Sequence, residues 1–277
     1  MKPMCAFRFQ DQGKHLPPIN YVQPKLNGVR CLHYNGICQS RWEKVWQAAK
    51  VHHITEALSS CNPNWIFDGE LYIHGVSLQK INGAMSVNSS EVTPLTRSVE
   101  YHIYDGFNRS NPLQPFSERT RILQGIIGPL VGNSPIKLVD TQLVDHPSAE
   151  KLFDEYRRSG YEGMMYRIPD SPYGHLKLCT NQENRWRQLL KRKDFLDGEV
   201  RVIGITEGEN KYTGLLGGLV CLFDNGQHFT VGSGFSDQER AIFYENPPID
   251  QFITIRYEML SDNGTPLKAT SNGLYER

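Results

Sequence analysis

The distribution of apolar residues changes about two thirds of the way along the chain, and this change limits the possible folds more than any other feature. Through residue 195, short β-type runs are mixed with stretches of helical spacing, whereas the remaining residues form β-type runs separated by Gly and Asn-Gly turns. Mixed periodicity predicts an α+β domain, and short strands joined by tight turns predict a small antiparallel barrel. The sequence therefore indicates two domains, residues 1–195 and 196–277.

The first domain is predicted to contain five strands and two helices. One helical stretch covers residues 45–60. The other, residues 148–160, is expected to begin at Ser148, with Glu150 close behind, and to end at Gly160, because these residue types favour helix ends. The predicted strands are YVQPKL (21–26), VRCLHY (29–34), WIFDGELYI (65–73), VEYHIYDGF (99–107) and GMMYRI (163–168).

The second domain is predicted to form a small antiparallel barrel from strand-like segments separated by Gly and Asn-Gly turns. Its length fits a five-stranded oligonucleotide/oligosaccharide-binding (OB) fold, although several other small β folds would fit as well. The strand-like segments are GEVRVIGITEG (198–208), GLVCLFDNG (218–226), QHFTVGSG (227–234) and DQFITIRYEML (250–260).

Composition restricts the class of protein. With 277 residues, 39% of them hydrophobic, the chain can bury a core. It contains no run of about 18 apolar residues and no signal-peptide layout in MKPMCAFRFQ, so we expect a cytoplasmic protein with no membrane partner. The six cysteines include no CxxC pair, which predicts reduced thiols and no zinc site. Because the formal net charge is zero, any nucleic-acid surface must be built from local clusters.

Lys25, in the string QPKLNGVR, is the first candidate catalytic residue. It follows Pro24 and precedes Asn27-Gly28, a strand-to-turn context that would present the amine at a pocket. Lysine side chains have a usual pKa of about 10.4, so nucleophilic attack on phosphorus would require nearby cations or desolvation. Taken alone, the string is more typical of a solvated lysine in a turn.

Acidic residues in two predicted strands suggest a metal site. Asp68 and Glu70 lie two apart in WIFDGELYI, hence on one face of a strand, and Glu162 precedes a Gly at the entry to another strand. Carboxylates aimed into one pocket can hold Mg²⁺, which also bridges substrate phosphates. Each motif alone is more typical of a solvated turn or strand end.

Lys191 and Lys193 alternate along the strand-like run LLKRKDF, so both amines can point to the same side. Two ammonium groups on one face suit a triphosphate, and they could lower the pKa of a neighbouring lysine by like-charge repulsion. A solvated basic strand edge is the alternative interpretation.

Taken in order, these motifs resemble the covalent nucleotidyltransferases, which comprise ATP-dependent DNA ligases, RNA ligases and mRNA capping enzymes. The attachment motif of that family, K-x-D-G-x-R, is matched by the six residues from Lys25 to Arg30. The resemblance covers about residues 21 to 195. Further matches are Ser40-Arg41, Phe67-Asp68-Gly69-Glu70, Tyr104-Asp105, Glu162-Gly163 and Leu190-Lys191-Arg192-Lys193.

The resemblance implies a nucleotidyltransferase (ATP-grasp-like) domain followed by an OB-fold barrel, in the minimal two-domain form of DNA ligase. It implies an enzyme that uses ATP and Mg²⁺ (or Mn²⁺) and takes part in DNA repair, replication and recombination. The resemblance implies that Lys25 carries AMP and that Lys191 and Lys193 contact the α-phosphate. Glu70 would bind the ribose or orient the nucleotide, Glu70 and Glu162 would bind the metal, and Tyr104 would stack on adenine. Arg30 and Arg41 would bind phosphates.

The chain departs from the family pattern at two places. Asn27 stands where the family has Asp, and an amide can neither act as a base nor bind a metal as a carboxylate does. The ending LKATSNGLYER lacks the usual basic motif, for which Lys268 and Arg277 are possible substitutes. We nevertheless expect an active enzyme.

The expected partner is nicked duplex DNA, bound by a monomer in a bacterial or phage-infected cell. Arg185 and Arg187, with Lys191, Arg192 and Lys193, form a basic cluster that could follow a phosphate backbone. Three alternatives remain open: an RNA ligase, a capping-type nucleotidyltransferase, and a non-catalytic nucleic-acid-binding protein with the same two domains. Asn27 is the best argument for the last of these.

Overall fold

The computed structural model describes residues 2–132, 134–174 and 185–274, and it divides the chain into two compact units, Met1–Lys193 and Asp194–Arg277. The described part of unit 1 is of mixed α+β type, with ten strands, six α-helices and two 3-10 helices. Its strands are β1 (Cys5–Arg8), β2 (Ile19–Lys25), β3 (Val29–Tyr34), β4 (Ile37–Ser40), β5 (Trp65–Tyr72), β6 (Glu100–Asn108), β7 (Ile136–Leu138), β8 (Gln142–Asp145), β9 (Gly163–Arg167) and β10 (Arg185–Lys193). Its helices are α1 (Phe9–Gln12), α2 (Ala48–Ala57), α3 (Leu78–Ala84), α4 (Pro94–Ser98), α5 (Phe116–Ile127) and α6 (His146–Arg158).

Unit 1 is built on two five-stranded sheets. The first sheet has the order β1-β10-β9-β2-β8 and the second has the order β4-β3-β5-β6-β7. All ladders are antiparallel except β1–β10 and β6–β7. Helix α6 packs on the first sheet through Phe153 and Tyr156, while helices α2, α3 and α5 bury apolar residues around the second. A third cluster, which includes Leu32 of β3 and Leu189 of β10, packs residues of the two sheets together.

The five predicted strands of this unit are present, and both helices differ at their ends. Helix α6 begins at His146 because the Asp145 side chain, not that of Ser148, caps it by accepting a hydrogen bond from the Ser148 backbone N–H at 3.0 Å. Helix α2 begins only at Ala48, since Val45 instead forms an isolated β-bridge with Gln39.

The described part of unit 2 contains a five-stranded antiparallel sheet, a two-stranded sheet, one α-helix and one 3-10 helix. The five-stranded sheet has the order β13-β12-β11-β14-β17. The Ser271 N–H donates to the Ser233 carbonyl at 2.9 Å, which joins the segment after β13 to β17, the opposite edge strand. The elements are β11 (Leu196–Glu207), β12 (Leu216–Leu222), β13 (His228–Val231), α7 (Asp237–Glu245), β14 (Phe252–Tyr257), β15 (Met259–Leu260), β16 (Pro266–Leu267) and β17 (Thr270–Leu274).

Helix α7 is an element of this unit that the sequence patterns did not predict. Ser236 accepts a hydrogen bond from the Glu239 N–H, and the Glu239 carboxylate accepts one from the Ser236 N–H, so a capping box starts the helix. The Arg240 guanidinium of this helix is buried and donates to the Leu216 carbonyl at 2.7 Å, which fixes the helix against the sheet.

No helix in the described residues is long and apolar enough to span a membrane.

Candidate active site

Lys25 lies where the chain crosses from the first sheet to the second. It ends β2, and after three residues the chain continues as β3 of the other sheet. Leu26 is buried in the core of the second sheet and anchors the crossing. At Gly28 any Cβ would lie 2.4 Å from the Leu71 carbonyl oxygen, so only glycine fits there. The crossing is therefore fixed, and it holds the Lys25 side chain at a cavity.

Glu162 joins two of the predicted catalytic lysines. One carboxylate oxygen accepts a hydrogen bond from Lys25 Nζ, and the other forms an ion pair with Lys193 Nζ. Gly163, the next residue, is in register with both lysines, so strands β2, β9 and β10 bring the three side chains together. Burial alone would raise the pKa of Glu162, but the two ammonium groups outweigh it and hold the pKa below its usual value.

Gly163 is as restricted as Gly28. Its φ is +154°, and a Cβ would lie 2.2 Å from the Arg192 carbonyl oxygen. The Glu162 N–H also donates to the Lys25 carbonyl at 3.0 Å. Close strand approach and this backbone bond keep the Glu162 carboxylate between the lysines.

Arg30 and Glu70 form the facing wall, because they are paired in register on β3 and β5. The Arg30 guanidinium donates to both oxygens of Asp68, with Nε 2.9 Å from Oδ1, and to the Met4 carbonyl at 2.7 Å. Tyr173 Oη donates to Asp68 at 2.6 Å. The fully buried Asp68 therefore holds Arg30 in place, and the expectation that Asp68 faces a metal pocket beside Glu70 is wrong.

Glu70 lines the cavity, and the pKa of its carboxyl group is raised. Burial raises its pKa to about 7, although the positive charges of Lys25 and Arg30 act in the opposite direction. The carboxyl group therefore changes its charge close to neutral pH.

Tyr104 lines the same cavity and lies close to two guanidinium groups. The Cζ atoms of Arg30 and Arg167 lie 5.7 and 5.4 Å from its ring centroid, within cation–π range. Burial raises the pKa of Tyr104 well above its usual value, so the hydroxyl stays neutral. The flat ring is thus held in one place at the cavity wall.

Gln23 and Arg167 are among the cavity residues that the sequence patterns did not single out. Arg167 Nε donates to Gln23 Oε1 at 2.7 Å, and its Nη1 donates to the buried Asp105 at the same distance. Gln23 in turn donates to the Tyr104 carbonyl at 2.8 Å. Strand periodicity could have indicated both, because Gln23 lies two residues before Lys25 on β2 and Arg167 lies four residues after Gly163 on β9.

The cavity has a volume of about 530 Å³, which is in the usual range for sites that bind a small-molecule ligand. Its cationic, carboxylate and aromatic side chains suit the phosphates, ribose and base of a nucleotide. The charged and aromatic side chains that line it are those of Lys2, Lys25, Arg30, Arg41, Trp42, Glu70, Tyr104, Arg167 and Lys191.

Glu70, which lines the cavity, and Glu162, whose oxygens contact Lys25 and Lys193, are the carboxylates nearest to the predicted nucleophile that could take part in metal binding. In the described residues, no three His, Cys, Asp or Glu side chains are grouped so as to hold a metal. Mg²⁺ is often bound by one or two carboxylates together with substrate phosphates. The two residues fit an ion of that kind, and they do not form an all-protein cage.

Comparison with protein-family models identifies the family to which this chain belongs. The model described as the ATP dependent DNA ligase domain matches residues 3–193, more than half of the chain. The chain belongs to this family of DNA ligases. A second model, the DNA ligase OB-like domain, matches residues 207–272. The sequence-based prediction of a ligase nucleotidyltransferase domain followed by an OB-like domain is therefore confirmed.

Individual ligases extend the similarity over most of the chain. A DNA ligase of Haemophilus influenzae is 34% identical over 39% of this chain and 36% of its own length. A DNA ligase of African swine fever virus (isolate Pig/Kenya/KEN-50/1950) is 28% identical over 92% of this chain and 63% of its own length. This chain thus spans less than two thirds of either relative.

Solved ligase structures share the fold. A Lig E DNA ligase superposes with a TM-score of 0.78 at 21% identity, and 99% of each chain is covered. A Chlorella virus DNA ligase-adenylate has a TM-score of 0.55 at 21% identity, covering 100% of this chain and 99% of its own.

The arginines predicted to contact nucleic acid are divided among several places. Arg30 and Arg41 line the cavity of this ligase-family chain, and Arg187 is exposed on β10. The Arg185 side chain lies outside the described residues, as does Arg277. Lys268, the other suggested substitute for the missing basic motif, forms an ion pair with Glu258 at 2.6 Å in unit 2.

Arg192 does not belong to the basic surface that the sequence suggested. Its Nη2 donates to Glu150 of α6 at 2.8 Å, and its Cζ lies 4.0 Å from the Phe153 ring centroid. Strand alternation puts it on the face of β10 that is opposite to Lys191 and Lys193. Arg192 therefore attaches α6 to the first sheet.

Proposed function

We propose that the chain is an ATP-dependent DNA ligase that seals nicks between a 5′-phosphate and a 3′-hydroxyl in duplex DNA, through AMP carried on Lys25. One observation carries this proposal. In a chain of the ligase family, the Lys25 amine lies at a nucleotide-sized cavity and contacts Glu162, which also contacts Lys193. A protein that only binds nucleic acid has no need of this arrangement.

The first step charges the lysine. Lys25 Nζ, once it has lost a proton, attacks the α-phosphorus of ATP; an N–P bond forms and the P–O bond to pyrophosphate breaks. Lys191, which lines the cavity, and Lys193 would neutralise the negative charge that develops as pyrophosphate leaves. Glu162 keeps the Lys25 and Lys193 amines at one place.

The other cavity residues would bind the nucleotide. Tyr104 would stack on adenine, and the Glu70 carboxylate would accept hydrogen bonds from the ribose hydroxyls. Mg²⁺ would be held by Glu162 and Glu70 together with phosphate oxygens, where its charge would stabilise the triphosphate. With these two carboxylates holding the metal ion, the half-buried Asn27, two residues after Lys25, would not need to supply one.

The second and third steps act on DNA. An oxygen of the 5′-phosphate forms a P–O bond to AMP as the N–P bond to Lys25 breaks, and the 3′-hydroxyl then attacks the activated 5′-phosphate, forms the phosphodiester and releases AMP. Arg41, at the cavity rim, is suited to bind the 5′-phosphate with its guanidinium fork. Arg30 donates three of its five N–H groups to Asp68 and Met4, which leaves two for a substrate phosphate. We therefore assign Arg30 two roles, lining the cavity and contacting a phosphate.

The domain roles and setting complete the proposal. Residues 1–195 would be the adenylation domain and residues 196–277 the OB-fold domain of a monomer. A cytoplasmic location in a bacterial or phage-infected cell agrees with the free, buried thiols of Cys31 and Cys38 and with the bacterial and viral relatives.

Incubation with α-labelled ATP and Mg²⁺ tests the first step. We expect label stable on the protein from ATP and its loss in Lys25→Ala. Lys151→Ala, which removes an exposed lysine of α6, is the matched control and should label normally. Label from GTP alone would indicate a capping enzyme, and no label from either nucleotide would favour the non-catalytic binding protein.

A further inference from the structure

Trp42 is an aromatic side chain that the proposed chemistry leaves without a role. It is 70% exposed, although burying an indole ring is normally favourable. It also lines the rim of the cavity that contains Lys25. An exposed aromatic ring beside a reactive site suggests that a ligand covers it.

The loop that carries Trp42 is held by its own hydrogen bonds. The Ser40 N–H donates to the Lys44 carbonyl at 2.8 Å, and the Glu43 N–H donates to the Ser40 carbonyl at 3.0 Å. The Lys44 N–H donates to Ser40 Oγ at 3.2 Å, and the β-bridge between Gln39 and Val45 closes the loop. The ring is therefore presented by a defined turn.

Arg41 places a positive charge beside the Trp42 ring. Its Cζ lies 4.8 Å from the Trp42 ring centroid, and both side chains line the cavity. A guanidinium beside an aromatic ring matches a nucleotide, since the cation pairs with the phosphate and the ring contacts the base. The adenine of ATP does not require this ring, because the more buried Tyr104 already offers a platform inside the cavity.

We propose that Trp42 stacks on the terminal nucleotide that bears the 5′-phosphate at the nick, while Arg41 binds that phosphate. This inference rests on the proposed ligase function and adds a specificity-determining residue to it. Trp42 then acts only in the two steps that involve DNA, and lysine charging by ATP does not depend on it.

Kinetics of Trp42→Ala separate these steps. With pre-charged protein and a nicked duplex, we expect the DNA concentration for half-maximal sealing to rise between about 5-fold and about 150-fold, since base–aromatic stacking is worth about 1–3 kcal/mol. Trp42→Phe should recover most of the loss, and ATP charging should be unchanged in both variants. Val45→Ala, which alters an exposed residue of the same loop, should behave as the unmodified protein does.

Two kinetic results would overturn the inference. Unchanged dependence on DNA in Trp42→Ala would mean that the ring does not contact the substrate. Slower charging by ATP would assign the ring to the nucleotide cofactor instead. If the unmodified protein charges with ATP but seals no nicked DNA, the failure belongs to the proposed function and not to Trp42.

Fluorescence provides a test that does not depend on turnover. The chain contains four tryptophans, and the part of the signal that is lost in Trp42→Phe reports on the exposed ring of Trp42. We expect this signal to be quenched by a nicked duplex with a 5′-phosphate, and less by the same duplex with a 5′-hydroxyl or without a nick. Equal quenching by all three would show a general DNA contact and contradict the assignment to the terminal nucleotide.

Discussion

At the scale of single residues, Glu162 has the largest share in organising the site. Its two oxygens contact Lys25 and Lys193, and its own backbone is fixed by Gly163 and by the hydrogen bond to the Lys25 carbonyl. Without its negative charge the two ammonium groups would repel each other. The geometry of the nucleophile therefore depends on one carboxylate.

Glu162→Gln should slow lysine charging by at least about tenfold, because charge-assisted hydrogen bonds of about 1.5–3 kcal/mol are lost. The rate of label transfer from α-labelled ATP measures this. Glu150→Gln removes a carboxylate that also pairs with a cation, Arg192, but lies outside the cavity, and it should charge normally. Equal rates for both variants would show that Glu162 has no part in the first step.

Glu70 predicts a pH dependence of stability. Its pKa is about 7 in the folded protein and near 4.5 in the unfolded chain, so between these values the folded state binds more protons. The free energy of unfolding should therefore fall as the pH rises from about 4.5 to about 7. Glu70→Gln should lack this fall and gain up to about 3 kcal/mol over the original protein at pH 8, since each pH unit corresponds to about 1.4 kcal/mol.

ATP binding should show the opposite trend, because the ionised Glu70 carboxylate is the better acceptor for ribose hydroxyls. Denaturant unfolding and ATP titrations at pH 5.5 and 8 would check both effects. The same pH profiles in the protein and in Glu70→Gln would contradict the role given to this residue.

Sequence patterns predicted much of the site at this scale. Lys25, Glu70, Tyr104 and Lys191 line one cavity, and Glu162 contacts the first of them. The patterns did not predict the ion pair between Asp68 and Arg30, because these residues lie on two neighbouring strands and alternation along one strand does not reveal such contacts. Strand periodicity could have indicated Gln23 and Arg167 as cavity residues, but not their hydrogen bonds, because the partners are more than 60 residues away in sequence.

At the scale of elements, the sequence predicts the positions of several strands of unit 1 but not how these strands pair into two sheets. Apolar alternation located β2, β3, β5, β6 and β9, but it contains no information about the order in which strands pair. Helix ends depend on single capping side chains, which explains the difference at α6. The basic run of β10 was read as one surface, although its residues alternate between the active site and α6.

Arg192→Ala should therefore lower the free energy of unfolding by about 1–2 kcal/mol, through lost packing and cation–π contact more than through its partly exposed ion pair. Arg158→Ala, in the exposed last turn of α6, should have little effect. Denaturant titrations measure both. If Arg192→Ala kept full stability and instead weakened DNA binding, the basic-surface interpretation of the sequence would be correct.

At the scale of the whole molecule, charge is divided unequally. Residues 1–193 contain 24 Lys and Arg against 17 Asp and Glu, a formal charge of +7, whereas residues 194–277 contain 6 against 13, a charge of −7. The overall value of zero hides this difference. Phosphate attraction should come mainly from unit 1, and the OB-like unit should contribute through uncharged contacts.

Salt titrations test this division. Arg187→Ala in unit 1 should reduce the slope of log affinity against log salt by about 1, since one phosphate contact is lost. Arg201→Ala in unit 2, where the arginine lies 3.6 Å from Asp250, should leave the slope unchanged. The reverse result would show that the OB-like unit grips the backbone despite its negative charge.

The central claim is that Lys25 makes this chain a DNA-sealing enzyme, and strand joining tests it most directly. A duplex with a single 5′-labelled nick, offered with ATP and Mg²⁺, should yield a full-length labelled strand, and Lys25→Ala should yield none. An otherwise identical nicked RNA duplex should remain open. Sealing of RNA alone, or sealing of DNA that persists in Lys25→Ala, would contradict the account.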